Sequence, residues 1–306
     1  MANTKSSQVS HLAYVLITPA RNEAAFIELT LASMFKQTVL PVKWVIVSDG
    51  STDGTDDIVK KYTEKYKWIE LLRMPERVER HFAGKVHAFN AGYSRVRDLR
   101  YDIIGNLDAD ISFEEDYFSF LLSKFVENPR LGVGGTPFIE ESQQYDYRFT
   151  SIEHVSGQCQ MFRRECFESI GGYVPMKEGG IDLVAVITAR MKGWQTRTFP
   201  GKIFVHHRKM GTGIYIGLKA PFRGGYHDYL MGGHPVWQIF RSIYQMRFRP
   251  YVVYGCALLV GYFWAMVTRA ERPVSMEFVT FRRKEQMHRL KEILTKLIMP
   301  AQLRDS

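Results

Sequence analysis

The chain has 306 residues, 45% hydrophobic and 24% charged, with 24 Gly, 12 Pro and a formal net charge of +9. These proportions exclude a disordered, collagenous or low-complexity chain, and they fit one large α/β domain with an appendage or two smaller domains. The cysteines Cys159, Cys166 and Cys256 are odd in number and lack metal-ligand spacing, which predicts reduced thiols in a cytosolic compartment. "MANTKSSQVSHLAY" has no apolar core of the signal-peptide kind, so secretion by that route is not expected.

In chain order, "AYVLITPA" (13–20) reads as a buried strand. From Asn22 to Gln37, Phe26, Leu29, Ala32 and Phe35 recur at helical spacing and predict a helix buried on that side. "WVIVSDG" (44–50) is a second strand. Ser51 or Thr52 is placed to cap the next helix, with Ile58, Tyr62 and Tyr66 as its buried face. "WIELLRM" is a third strand, followed by a helix carrying Val86, Phe89, Tyr93 and Val96. "YDIIGNLD" is a fourth, followed by a helix with Tyr117, Leu121 and Phe125. "GVGGTPFIEE" reads as one strand, "GQCQMFRRECFESIGGY" as a strand and a short helix, and 181–193 as a helix. "WQTRTFP" and "KIFVHHR" are two more strands, and beyond Gly211 the pattern turns helical and apolar.

This alternation predicts an α/β fold, a mostly parallel sheet with helices on both faces. Ligands in such sheets bind beyond the carboxyl ends of the strands. Pro19-Ala20-Arg21, Asp49-Gly50-Ser51 and Asp108-Ala109-Asp110 all fall there. Two carboxylates at i and i+2 suit a hard, oxygen-seeking cation such as Mg²⁺ or Mn²⁺, which completes its shell from water and substrate phosphates. Lys85, at a helix start, adds positive charge beside an anion site, and Asp49 can accept a hydrogen bond from a base or ribose. The set reads as a site for a nucleoside diphosphate and its metal.

Four segments carry a resemblance. "VLITPARNEAAFIELTLASMFKQT", "WVIVSDGSTDGT", "AGKVHAFNAG" and "NLDADI", in that order over residues 14–112, resemble the family 2 glycosyltransferases of the GT-A fold. The resemblance implies that Pro19, Arg21 and Glu23, with Ala20, line the nucleotide pocket and that Asp49 and Ser51 lie at the base. It implies that Lys85 and Asn90 meet the donor nucleotide, that Asp108 and Ala109 meet the ribose or metal, and that Asp110 is the principal metal carboxylate. The family's catalytic base lies in a Glu-Asp pair before a Gly-aromatic helix end; counting back from Gly193-Trp194 reaches Ile181-Asp182. Ile181 replaces the Glu, and Asp182 is retained as the expected base, with capping of the helix as its bland alternative. The implied reaction is an inverting displacement on a nucleotide-diphosphate sugar by an acceptor hydroxyl. In "HHRKMGTG", a histidine, His207, can complete the metal shell, and the glycine-rich piece can form a lid. His227 and His234 are expected to be structural.

Residues 12–210 are expected to form the GT-A domain and 211–306 a helical, basic, membrane-associated region. From Arg241 to Ser306 there are twelve Lys and Arg against five Asp and Glu. Such a tail suits nucleic acid or phospholipid, and its apolar neighbourhood favours lipid over nucleic acid. "YVVYGCALLVGYFWAMVT" (251–268) is uncharged and about 27 Å long as a helix, just short of a hydrocarbon core. Met287, Leu290, Leu294 and Leu297 form an apolar stripe bordered by Arg283, Arg289, Lys291 and Lys296, which predicts a helix at an anionic membrane surface. The expected setting is the cytoplasmic face of a membrane, with peripheral or monotopic attachment and a glycan or lipid-linked acceptor. Two other readings share the D-x-D pattern: a haloacid-dehalogenase-type phosphatase, and a non-catalytic membrane-surface scaffold of the same fold.

Overall fold

The computed structural model describes residues 12–76, 83–140, 143–144, 151–208, 217–247 and 249–298. The chain divides into two compact units, Met1–Lys209 and Met210–Ser306. The first unit begins β1 (Tyr14–Ala20), α1 (Ile27–Phe35), β2 (Lys43–Asp49), α2 (Thr55–Thr63), β3 (Ile69–Met74), α3 (Ala83–Val96), β4 (Ile103–Leu107) and β5 (Ile111–Phe113). It continues α4 (Tyr117–Glu127), β6 (Leu131–Gly135), β7 (Phe138–Glu140), β8 (Gln143–Gln144), β9 (Cys159–Arg163), α5 (Arg164–Ser169), α6 (Ile181–Met191), β10 (Gln195–Thr198) and β11 (Phe204–His206).

Seven strands form the main sheet in the order β10-β6-β9-β4-β1-β2-β3, and β5-β11-β7-β8 form a smaller one. In the main sheet β1, β2, β3 and β4 run parallel, while β9 is antiparallel to both of its neighbours. The strands are near-continuous apolar runs because both faces are covered; Val15, Leu16, Ile17, Val45, Ile46 and Val47 are fully buried. Parallel pairing therefore brings the carboxyl ends of β1, β2 and β4 to one edge.

Three local expectations are corrected. The buried face of α1 is Ile27, Thr30, Leu31 and Met34, while Leu29 is 45% exposed. Thr30 Oγ1 turns that face inward by donating to the Ile111 carbonyl at 2.7 Å. Helix α2 is capped by Gly54 in the left-handed region (φ 91°), not by Ser51 or Thr52, and it buries Thr55, Asp56 and Val59. Tyr62 instead stacks on Phe35, and Tyr66 lies tilted against the same ring, in an aromatic cluster with Trp68. "GVGGTPFIEE" is two strands, not one. The chain breaks at Thr136-Pro137, where Pro has no N–H for a ladder, so β6 stays in the main sheet and β7 joins the smaller one.

The second unit comprises α7 (Lys219–Leu230), α8 (Pro235–Gln245), α9 (Tyr251–Val267) and α10 (Met276–Ile298). His234 caps α8, its Nδ1 accepting from the Val236 amide at 3.2 Å. A Cβ on Gly225 would collide with the Leu258 carbonyl and one on Gly261 with the Phe222 carbonyl, so α7 and α9 pack backbone against backbone. Asp228 and Arg282 are both buried and paired at 2.7 Å. The expected α10 stripe divides: Leu290 is buried and Leu294 is 44% exposed, while the Leu297 and Lys296 side chains lie outside the described residues. Among the described residues, no helix is long and apolar enough to cross a membrane. The expected lid, from Lys209 onward, lies outside the described residues.

Candidate active site

The loops after β1 and β2 are stitched together. Asn22 sits at φ 56°, a conformation that short polar side chains tolerate. Its amide donates to Ser51 Oγ at 3.1 Å, and its own Oδ1 accepts from the Thr52 amide at 2.9 Å. The Glu23 amide donates to Thr55 Oγ1 and the Ala24 amide to Asp53 Oδ2. Asp53 is held below the usual carboxylate range, because these bonds and the one from the Thr55 hydroxyl outweigh its slight burial. At this edge Arg21 Nη1 lies 4.0 Å from the buried Asp49 carboxylate, beside Pro19, Ala20 and Ser51. Glu23 pairs with Arg208.

The two carboxylates of Asp108-Ala109-Asp110 turn to different partners. Asp108 follows β4 and its amide donates to the Gln158 carbonyl at 2.8 Å. Its Oδ1 accepts from Lys85 Nζ at 2.5 Å and from Asn106 Nδ2 at 3.2 Å. Asp110 precedes β5, whose antiparallel register with β11 sets Ile111 opposite His206. Its Oδ2 is 3.5 Å from His206 Nε2 and 3.3 Å from Arg208 Nε. The other His206 nitrogen lies 3.5 Å from Glu140 Oε2.

Burial and neighbouring charges together set the electrostatics. Burial, then the Asp110 charge, pushes the Glu23 carboxyl up to about 7 even though Arg208 opposes them. Burial also raises Asp108, partly offset by Lys85, with Asp110 adding to the rise. Burial works against the Asp110 anion too, but His206, Arg208 and Lys85 outweigh it and hold that carboxyl below its usual range. Burial disfavours the Lys85 ammonium, yet Asp108, Asp182 and Asp110 keep its pKa above the ordinary lysine value.

Asp182 enters the same cavity. Lys85, Asn106, Asp108, Gly157, Tyr173 and Asp182 line it, together with Ile181 and Gly180. Gly180 is the N-cap of α6 in the left-handed region (φ 83°), so Asp182 belongs to the first turn and is not the cap. A Cβ on Gly157 would lie 3.0 Å from Asp182 Oδ2, so the missing side chain is what lets the carboxylate in. Ile181, in the place where the family pattern carries an acid, is a buried apolar wall. Asp108 and Asp182 are the two acids among the lining residues, and Lys85 already engages Asp108.

Two expected residues are not brought to this point. Asn90 is exposed on α3, more than a turn beyond Lys85, because the cavity takes Lys85, Val86 and Phe89 from that helix. His207 Nε2 lies 2.8 Å from Ser112 Oγ, and its ring stacks on Phe26; the histidine that faces Asp110 is His206. The register decides between the pair: His206, the last residue of β11, sits opposite Ile111 and is buried, while His207 lies just beyond the strand. Asn106, Arg208 and Glu140 were not singled out by the sequence. Only Asn106, two residues before Asp108, left a local signal.

Comparisons with known proteins bear on the family and the fold. The profile of Glycosyl transferase family 2 matches residues 15–175. The chain is 26% identical over 159 residues to the poly-beta-1,6-N-acetyl-D-glucosamine synthase of Staphylococcus epidermidis, covering 51% of this chain and 35% of that protein. To the enzyme of the same name from Staphylococcus aureus strain COL it is 29% identical over 136 residues, 44% of this chain and 31% of that one. The chain thus spans about a third of the length of the curated relatives it matches. Among solved structures, the mannosyltransferase PcManGT from Pyrobaculum calidifontis, in complex with GDP-Man and Mn²⁺, aligns with a TM-score of 0.55 at 20% identity. That alignment covers 93% of this chain and 82% of the other. Residues 1–349 of TarS from S. aureus, in complex with UDP-GlcNAc, align with a TM-score of 0.51 at 12% identity, covering 94% and 82%. At such identities the solved structures speak to the fold, which is GT-A, while the profile match leaves no place for the dehalogenase-type reading. With a family match across more than half of its length, the chain belongs to the family 2 glycosyltransferases.

Proposed function

We propose that this chain is an inverting glycosyltransferase that moves a sugar from a nucleotide-diphosphate sugar to a hydroxyl of a glycan or lipid-linked acceptor, in cell-surface polysaccharide biosynthesis. The observation that carries the reading is the meeting of Lys85, Asp108 and Asp182 in one cavity at the carboxyl ends of parallel strands. Pro19, Ala20, Arg21, Glu23, Asp49 and Ser51 form the nucleotide side, with Asp108 and Ala109 nearer the diphosphate. The S. epidermidis and S. aureus relatives, named as polysaccharide synthases, support the acceptor class.

A divalent cation, Mg²⁺ or Mn²⁺, fits the residues present. Burial lifts Glu23 to about 7, with the charges of Asp110 and, less, Asp108 adding to the rise, and the oxygens of these carboxylates suit a hard ion. Among the described residues no three His, Cys, Asp or Glu side chains converge to hold an ion unaided, so substrate oxygens and water would have to complete its shell. Asp110, with Asp108, would hold it, and it would supply Lewis-acid stabilisation of the departing diphosphate. The protein's own groups do the rest. Lys85, kept charged by its acidic neighbours, neutralises the leaving phosphates. Asp182 accepts the proton of the attacking hydroxyl as that oxygen displaces the nucleoside diphosphate, so one displacement inverts the anomeric centre. The enzyme works peripherally at an anionic, cytoplasmic membrane surface, which its basic second unit supports.

The test is a thermal-shift screen of nucleotide sugars with and without Mn²⁺, since a ligand that binds the folded state alone raises the melting temperature. One nucleotide sugar should stabilise the protein in a metal-dependent way. If none does while inorganic phosphate or nothing at all binds, the transferase reading fails and the scaffold reading gains.

A further inference from the structure

Helix α8 is built inside out. On α8 the fully buried side chains are Gln238 and Ser242, while Val236, Ile239 and Ile243 are 46%, 40% and 56% exposed. A helix docked on a soluble core shows the reverse. Along α9, Gly255, Leu258, Tyr262 and Ala265 face inward. The opposite side carries Val253, Cys256, Val260, Trp264 and Val267, spaced three or four residues apart and all exposed. Inward contacts are made by glycines: Gly255 abuts the Ser242 carbonyl and Gly261 that of Phe222. Small residues at close helix crossings, polar groups inside and large apolar side chains outside are how helices pack when their surroundings are lipid.

We infer that the outward faces of α8 and α9 dock into the interfacial layer of an anionic phospholipid membrane, with α9 lying in the membrane plane. The occupant follows from charge. Residues 210–306 carry fourteen Lys and Arg against six Asp and Glu, so a second copy would set two cationic surfaces against each other. Phospholipid headgroups supply the opposite sign. Orientation follows from the ends of α9, where Arg247 and Arg249 stand before it and Arg269 and Arg272 after it. Arg272 packs on Tyr229, but Arg247, Arg249 and Arg269 are exposed. Helix α9 is too short and too little apolar to span. Upright in one leaflet it would carry an arginine into hydrocarbon, whereas in the plane all three reach headgroups while the stripe between them is buried. Helix α9 falls within the apolar 251–268 segment that the sequence pointed to beside the α10 stripe, and α8 adds a face that it did not. The inference rests on the membrane-surface reading above and names the surface responsible.

Cys256 supplies the probe. It is exposed on the α9 stripe while Cys159 and Cys166 are buried, so an environment-sensitive fluorophore can be attached there in the full chain. With vesicles of equal phosphatidylglycerol and phosphatidylcholine its emission should rise and shift to the blue, weakly or not at all with phosphatidylcholine alone. Ile243→Asp and Val260→Asp, at exposed positions, should each weaken vesicle binding roughly tenfold or more and leave donor binding and melting temperature unchanged. Unaltered vesicle affinity in both variants would overturn the assignment. So would absence of vesicle binding together with a dimer that the same variants dissociate, since the occupant would then be a second copy. Donor binding is read separately: if it fails in the parent protein while vesicle binding holds, the transferase reading falls and the docking surface stands.

Discussion

Lys85 Nζ stands 2.5 Å from Oδ1 of Asp108, and both side chains line the cavity that Asp182 enters from α6. The lysine thus balances one acid of the D-x-D pair and leaves the other, Asp110, to His206 and Arg208. Lys85→Met should lower donor affinity about 10- to 100-fold, the scale of a lost hydrogen bond to a charged group. Titration calorimetry with the nucleotide sugar found by the screen reads this directly. Unchanged affinity would place the diphosphate elsewhere.

Asp110→Ala removes the carboxylate expected to face the cation. The Mn²⁺-dependent part of the donor's thermal shift should vanish, while any metal-independent nucleotide binding persists. A metal-dependent shift equal to that of the parent protein would remove Asp110 from the cation site.

Gly157→Ala tests the packing that admits Asp182. The new Cβ would meet Asp182 Cβ at 2.9 Å and its Oδ2 at 3.0 Å, so the carboxylate must move by a few tenths of an ångström or more. Small misplacements of a reacting group are expensive, so kcat should fall about tenfold or more with little change in the donor KM. Equal loss in both parameters would mean that the loop, not the carboxylate, was disturbed.

In the second unit, Gly225→Ala drives a methyl into the Leu258 carbonyl. Backbone cannot yield as a side chain does, so a loss of about 1–3 kcal/mol or more is expected there. Hydrogen exchange should show faster opening of α7 and α9 alone, with donor protection of the first unit retained.

How much of this was legible depended on the range of the interactions. The succession of strands and helices along the first half, with Arg21, Asp49 and Asp108 just at or beyond strand ends, followed from apolar runs and their polar ends, which are local. The face of α1 was misread because Ile27 and Met34 lie among apolar neighbours on nearly every side, and a hydrogen bond from Thr30 to a residue 81 positions away decides the rotation. The choice of His206 over His207 depended on the pairing of β11 with β5, which sequence spacing does not encode. Helix α8 was unreadable for another reason. Its apolar residues face outward, and periodicity reports that a helix has two faces without saying which one meets protein.

The most direct measurement is steady-state release of nucleoside diphosphate from the stabilising nucleotide sugar, with Mn²⁺ or with chelator, for the parent chain and for Asp182→Asn. The account predicts metal-dependent release that acceptor accelerates, and a loss of roughly 10²- to 10⁴-fold in transfer for the variant, with its donor affinity intact. Turnover in Asp182→Asn equal to that of the parent chain, or inorganic phosphate as the product, would contradict it.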